Sequence, residues 1–416
     1  MKHSDSAEDF DFVDGCRVCT SSKLFEVLNL GMQPLANCLR DPLDTSVEKK
    51  FPLVLIRCAD CSTIQLSINV NPTLMFDNYY WVTGTSSIAQ EHCNYLAQEI
   101  VSRVTMNGSI LEIGSNDGTL LKSLRSISDA KLYGVDPAKF ISNLARENSL
   151  EIFTEYFSDS FVTRFLKNFE KVDAVVARNV LSHVPDLKDV VSGISRVLSD
   201  EGIFVVEFHD ASKILKELHY DSIYHEHTFY HSLRSMCTVA KNAGLTPFDV
   251  LESPISGGSR ILFASKLPLK PTERMIKALE LEEESGVYNE SNWLEFGEAS
   301  QQNINMVRTF LSEHRNSKIL GYGASARSST LLNAIGVDSK SLVGIADSNP
   351  LKWGKKSPGT GFTIDSPAKL IDSSVEIIFI CPFNFEEEIV DSLTNDLGWH
   401  GKVFLPLPSA PRVYTV

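Results

Sequence analysis

Two stretches of this chain alternate short apolar runs with helical periodicity, and that alternation restricts the fold more than any other feature of the sequence. In the first, SILEIGSNDGTLLKSL reads as strand, turn and helix, KLYGVDPA as strand and turn, and KVDAVVARNVLSHV and GIFVVEFHD as strands that run into polar loops. Four such units in about a hundred residues predict a doubly wound α/β sheet whose ligand lies at the carboxyl ends of its strands. In the second, KILGYGASARSSTLLNAIG, LVGIADSNP, EIIFICPF and KVFLPLP repeat the pattern, which predicts a smaller carboxyl-terminal α/β domain of the Rossmann-like kind. The charged stretch between them reads as helix, and its LELEEES run is most simply a solvated helix face.

Ahead of the first series stand two cysteine pairs, Cys16 with Cys19 in CRVC and Cys58 with Cys61 in CADC. Two C-x-x-C knuckles on adjacent turns present four thiolates tetrahedrally, the geometry of a structural zinc site. A redox motif would more simply be a single C-x-x-C near a βαβ unit. The 38 residues between the pairs exceed the usual ribbon spacing, so LNLGMQPLANCLRDP is expected to loop out. Cys38, Cys93, Cys237 and Cys381 read as isolated, inert thiols. The expected units are therefore a zinc-binding domain over 1–88, a cofactor domain over 89–270, a helical connector over 271–315 and the carboxyl-terminal domain over 316–416.

A formal charge of −14 excludes a surface built to neutralise a phosphate backbone, so a small substrate rather than nucleic acid is expected. The acidic start MKHSDSAEDFDFVDG does not resemble a signal peptide, and no apolar run approaches the length of a membrane span. A soluble, cytoplasmic protein is expected, of undetermined oligomeric state.

Glu112, Gly114, Asn116 and Gly118 close the first strand and open its helix, where glycines let a nucleoside cofactor approach the backbone. Asp136 ends the next strand, where a carboxylate accepts from two ribose hydroxyls. This pattern is similar to the E-x-G-x-G/N-x-G signature of class I methyltransferases that use S-adenosylmethionine, and it differs from the dinucleotide pattern G-x-G-x-x-G. Gly321, Gly323 and Ala326 do match G-x-G-x-x-A, with Asp347 ending the following strand, so a second, nicotinamide-type site competes there. Arg327 and the helix start behind it would equally hold the phosphates of a nucleotide-linked substrate, and purely structural glycines are the third reading.

The stretch DSIYHEHTFYH (221–231) concentrates three of the ten histidines. A metal site, a catalytic base with its supporting groups and a structural polar loop are all open to it. The metal reading is the weakest, because His225 and His227 flank Glu226 in a strand-like loop and present no pair from one helix face.

Taken together, the paired cysteines, ILEIGSNDGTLL, GVDPA, NVLSHVPDL, DSIYHEHTFYHS, GGS (257–259), GYGASARSSTLLN and DSNPLKWGKKSPGT resemble the C-methyltransferases that act on nucleotide-linked 4-ketosugars. The resemblance covers nearly the whole chain. It implies S-adenosylmethionine as cofactor, a structural zinc ion, and a nucleotide-linked 4-keto-deoxysugar as substrate. It further implies that Tyr224, Glu226 and His227 carry the chemistry, with His227 removing the proton beside the ketone, Glu226 orienting its ring or relaying the proton, and His183 a second acid/base or the group that polarises the ketone. Tyr79 and Asn179 are implied at the cofactor, and His225, Gly323, Arg327 and Lys352 at the substrate. The chain departs from the family pattern in placing Arg260 directly after Ser259, in Trp81 for a tyrosine, and in EFHDA for EFP. A nicotinamide-dependent sugar oxidoreductase and a non-catalytic zinc- and nucleotide-binding scaffold are the competing functions.

Overall fold

The computed structural model describes residues 9–76, 82–104, 107–184 and 186–416. The amino-terminal unit contains β1 (Phe10–Phe12), β2 (Leu24–Pro34), β3 (Lys50–Cys58), β4 (Ile64–Leu66) and β5 (Ile68–Val70). β2, β3 and β4 form an antiparallel meander, and β1 pairs with β5. LNLGMQP therefore does not loop out as expected. Val27, Leu28 and Leu30 are buried, and Gly31 at φ 74° takes the irregular step in the pairing between Asn29 and Met32. That bulge interrupts the two-residue alternation by which a strand is read from sequence.

The central unit holds β6 (Ser109–Ile113), β7 (Lys131–Val135), β8 (Glu151–Phe153), β9 (Val172–Arg178) and β10 (Leu198–His209). After β11 (Phe229–Tyr230), which joins another sheet, come β12 (Thr246–Ser253) and β13 (Ser259–Ser265). The sheet order is β12-β13-β10-β9-β6-β7-β8, with β13 antiparallel to both neighbours and the other pairs parallel. Chain order reverses between β6 and β9, so a crevice opens at their carboxyl ends. Helices Ser87–Val101 and Thr119–Ile127 cover one face, packing Leu96, Ile100, Leu120 and Leu124 on Ile110, Val176 and Val205. Helices Asp159–Phe165, Leu187–Val197 and Leu233–Asn242 cover the other.

The carboxyl-terminal sheet is β14 (Ile319–Tyr322), β15 (Ile345–Ala346), β16 (Ile364–Asp365), β17 (Ile377–Ile380), β18 (Lys402–Leu405) and β19 (Arg412–Thr415). Its order, β16-β15-β14-β17-β18-β19, is again doubly wound, with only β19 antiparallel. Both doubly wound sheets expected from the apolar alternation are thus present. Among the described residues, no helix is long and apolar enough to cross a membrane.

Helices Glu273–Glu284 and Glu290–Glu313 join the two α/β units. The longer one buries Trp293, Phe296, Val307 and Leu311 in a core shared with Val27 and Leu53 of the first unit and Ile319 and Leu405 of the last. Gly297 lets it lie against β2: a Cβ there would come within 2.0 Å of the Val27 carbonyl oxygen. The acidic run is not the uniformly solvated face expected. Glu282 is fully buried, and its carboxylate accepts from the backbone N–H groups of Leu233 and Arg234 and from the Tyr288 hydroxyl. It caps the start of helix Leu233–Asn242, whose first N–H groups have no partner within the helix. Glu282→Ala is expected to cost about 2–3 kcal/mol by leaving those donors buried and unmet, and exposed Glu280→Ala less than about 0.5 kcal/mol. Urea denaturation of both variants checks this, and equal costs would contradict it.

Candidate active site

The two cysteine pairs fold as matching turns. Thr20 N–H donates to the Cys16 carbonyl at 2.8 Å and Ser62 N–H to the Cys58 carbonyl at 3.0 Å, with Thr20 and Ser62 left-handed at φ 63° and 61°. Cys16 Sγ lies 3.4 Å from Cys61 Sγ, Cys19 Sγ lies 3.6 Å from Cys58 Sγ, and all four sulfurs fall within 4.8 Å of one another. Tetrahedral zinc with bonds of ~2.3 Å requires sulfurs roughly 3.8 Å apart. The donor set fits structural zinc, and its four thiolates fill every coordination position. Between the ligands, Arg17 donates to the carbonyls of Leu66 at 2.7 Å and Ile68 at 2.9 Å, and reaches Thr228 O at 3.5 Å.

At the crevice of the central sheet lies a cavity of about 480 Å³, lined among others by Gly114, Asn116, Asp136, Asn179 and His183. Its size suits a nucleoside cofactor. Gly114 is left-handed at φ 66°, and a Cβ there would meet Val180 Cγ2 at 2.4 Å, so the turn requires glycine. Asn116 and Asn179 take the left-handed region at φ 50° and 53°. Asp136 accepts from Asn116 N at 3.0 Å and Ala138 N at 2.9 Å, which fixes its carboxylate at the cavity wall; burial raises its pKa. Ile113, Val135, Ala138 and Phe157 supply apolar walls for a base. These residues fit S-adenosylmethionine.

Two of the expected cofactor residues are not among those lining the cavity. Glu112 is buried beneath it, paired with Arg178 at 3.1 Å, and burial lifts its carboxyl to about 7. Gly118, left-handed at φ 73°, starts helix Thr119–Ile127 with Leu150 packed where its Cβ would be. Tyr79 and Trp81 lie outside the described residues.

His183, at the cavity, donates Nδ1–H to the Glu226 carbonyl at 2.7 Å, which makes Nε2 its basic nitrogen. Its neutral form accepts a proton there, so polarising a ketone, which needs a donor, does not suit it. The His183 and His227 rings are 5.0 Å apart. His227 donates Nδ1–H to the Ser222 carbonyl at 3.1 Å, and its Nε2 accepts from the Tyr224 hydroxyl at 2.8 Å. The ring is therefore oriented by Ser222 rather than by Glu226 as expected. Burial holds both histidines below the ordinary value, His227 further because His183 lies beside it. The Glu226 side chain is wholly buried on the Asn37 side of the loop, and burial raises its carboxyl to about 7. His225 belongs to the zinc unit instead of the substrate: its Nε2 lies 3.2 Å from the Pro52 carbonyl, its ring meets Phe51 edge-on, and burial lowers it to about 4.

The carboxyl-terminal turn differs from its expectation. Arg327 is bound to Asp221 through both carboxylate oxygens, at 2.8 and 3.0 Å, donates to Ser256 O at 3.0 Å and stacks over Phe383. It joins two domains before it can hold a phosphate. Gly323 is required by Pro382, whose Cδ a Cβ would approach to 2.5 Å. Lys352 pairs with Asp347 at 2.9 Å, and Asp347 also accepts from Ala324 N and Asn349 N. These commitments favour structural glycines over a dinucleotide site.

Sequence reasoning missed Arg178, Glu207 and His92, all of which line the cavity. A signal was present: ILEI, VVAR and VVEF each carry one charge near the end of an otherwise apolar strand, and desolvation makes such charges costly.

Sequence profiles cover three parts of the chain: "Putative zinc binding domain" over 16–76, "Methyltransferase domain" over 89–250 and "C-methyltransferase C-terminal domain" over 254–408. The C-methyltransferase NovU of Streptomyces niveus is 30% identical over 410 residues, spanning 96% of this chain and 97% of its own. Among solved structures, magnesium protoporphyrin IX methyltransferase of Synechocystis PCC 6803 with bound SAM is 17% identical, covering 43% of this chain and 79% of its own at a TM-score of 0.33. Geranyl diphosphate C-methyltransferase of Streptomyces coelicolor A3(2) is 13% identical, covering 43% and 81% at a TM-score of 0.34. At those scores the structural likenesses add nothing to the sheet order described above.

Two outcomes are expected here. Metal analysis should find about one zinc per chain, and Cys58→Ser should lower both zinc content and thermal stability; a metal-free preparation that is folded and active would contradict this. Arg327→Met, which leaves Asp221 buried and unpaired, should cost about 3–5 kcal/mol, with much of it recovered when Asp221→Asn is added. A double variant as unstable as the sum of the two single variants would show that the pair does not hold the junction.

Proposed function

Because the chain belongs to the C-methyltransferase family and is an S-adenosylmethionine-dependent enzyme with structural zinc, we propose that it methylates a nucleotide-linked 4-keto-deoxysugar at the carbon beside the ketone. The observation that carries this reading is a cluster that begins at His183 on the cofactor cavity and continues behind it through His227, whose ring is 5.0 Å from that of His183, to Tyr224, with tautomers fixed by the Ser222 and Glu226 carbonyls. When bound, the cofactor supplies an electrophilic methyl group, so the protein's task is to make a carbon nucleophilic and align it.

Asp136 would hold the ribose hydroxyls, and the apolar wall formed by Ile113, Val135 and Phe157 would take the adenine. Tyr224 and His227 then act as one unit. The substrate proton moves to the Tyr224 oxygen as the Tyr224 hydroxyl proton passes to His227 Nε2, leaving an enolate on the sugar and a charge on the imidazole. The Ser222 carbonyl favours that charge by accepting from Nδ1–H. His183 is a second acceptor in the same space. The nucleotide portion of the substrate is assigned to the carboxyl-terminal domain, on main-chain and neighbouring groups rather than on the committed Arg327 and Lys352.

Deuterium exchange isolates the proton step from methyl transfer. With S-adenosylhomocysteine bound, wild type should exchange the substrate hydrogen beside the ketone with deuterated solvent, and His227→Ala should abolish exchange while changing substrate affinity much less. Tyr224→Phe should also abolish it if the hydroxyl relays the proton. Near-normal exchange in His227→Ala with none in His183→Ala would move the base to His183. Since burial lowers both histidines, the base remains neutral through their ordinary value, and the acid limb of kcat/KM should fall below pH ~6.5. A limb above that value would contradict the assignment.

A further inference from the structure

Charged side chains seldom occur inside parallel strands buried on both faces, because each must be desolvated. β6, β9 and β10 nevertheless carry Glu112, Arg178 and Glu207. All three lie on the sheet face covered by helix Ser87–Val101, since they continue the alternation of Ile110, Val176 and Val205 in that face's core. Glu112 is committed to Arg178 Nε at 3.1 Å, and Arg178 Nη1 donates to Cys93 Sγ at 3.1 Å. Glu207 Oε1 accepts from Ser253 Oγ at 2.6 Å and from His92 Nε2 at 2.7 Å. Among the described residues, Arg178 Nη2 and Glu207 Oε2 take part in none of these bonds. Both residues line the cofactor cavity.

We propose that Arg178 and Glu207 recognise the α-amino-acid end of the cofactor, Arg178 through its carboxylate and Glu207 through its ammonium. The inference rests on S-adenosylmethionine being the cofactor and assigns residues to a part of it that Asp136 does not serve. Arg178 is the one permanent cation among the described residues lining the cavity, and the guanidinium fork matches the geometry of a carboxylate. Arg178 and Glu207 are direct partners across β9 and β10. Strands roughly 4.8 Å apart let both ends of one α-amino acid be bonded together. The signs also match: the guanidinium of Arg178 faces a carboxylate and the carboxylate of Glu207 an ammonium. His92 and Ser253 fix the carboxylate, so Glu207 meets its ligand with little reorganisation.

Two ligands that share the nucleoside and differ at the amino acid test this: S-adenosylhomocysteine, which has the amino-acid end, and 5′-methylthioadenosine, which lacks it. Calorimetry on the full chain should show Arg178→Met and Glu207→Gln weakening S-adenosylhomocysteine by about tenfold or more while 5′-methylthioadenosine is nearly unaffected. Asp136→Ala should weaken both. Because Arg178→Met strands Glu112 in the interior, the variant combining Arg178→Met with Glu112→Gln removes both charges and is measured beside it, with its thermal unfolding confirming a folded chain. Equal weakening of the two ligands, or of neither, by the Arg178 and Glu207 variants would overturn the proposal. Failure of wild type to bind either ligand would instead remove the cofactor assignment on which it stands.

Discussion

A loop that is buried must give its backbone hydrogen bonds to something, and the polar loop 221–231 gives them to every unit around it. Phe229 and Tyr230 pair with β4 of the zinc unit, and Leu66 N–H donates to Thr228 O at 3.1 Å. Thr228 N–H donates to Ser182 O in the central unit at 2.7 Å, and Thr330 Oγ1 of the last unit donates to Ile223 O at 3.1 Å. Asp221 closes the set through Arg327. The loop cannot be placed by any one unit alone. The Tyr224–His227 geometry is therefore a property of how the three units meet.

This gives the zinc site a consequence beyond its own fold. Arg17 sits between two metal ligands and is spread over the carbonyls of β4, β5 and the loop, with its guanidinium 5.5 Å from the centre of the Phe229 ring. Holding the Cys16–Cys19 turn closed therefore also holds the strand to which β11 is paired. The thiolate set thus reaches the loop through two short strands and one arginine.

What was legible in the sequence is what local spacing determines. Gly114 and Asp136 follow from one strand-turn-helix and the strand after it, and the cysteine pairs from two turns. Residues whose role depends on a distant partner were not legible. Arg327 reads as a phosphate ligand until Asp221, 106 residues away, takes its guanidinium. His225 reads as a substrate contact until β3 is seen behind it, and Glu282 as solvated until helix Leu233–Asn242 starts against it. The charges at 178 and 207 fall between these cases: each was visible as an exception within an apolar strand, yet only the parallel register shows that the two are neighbours.

In the proposed reaction a cluster of two histidines and a tyrosine makes a carbon of a ketosugar nucleophilic beside a methyl donor. The most direct measurement is product analysis after incubation with S-adenosylmethionine carrying a carbon-13 methyl and a panel of nucleotide-linked 4-keto-deoxysugars. The expected result is a mass gain of one labelled methyl, with the label coupled to a ring carbon next to the carbonyl in the carbon-13 spectrum. A label found on oxygen or nitrogen, or turnover of a substrate with no acidic carbon–hydrogen bond, would contradict it.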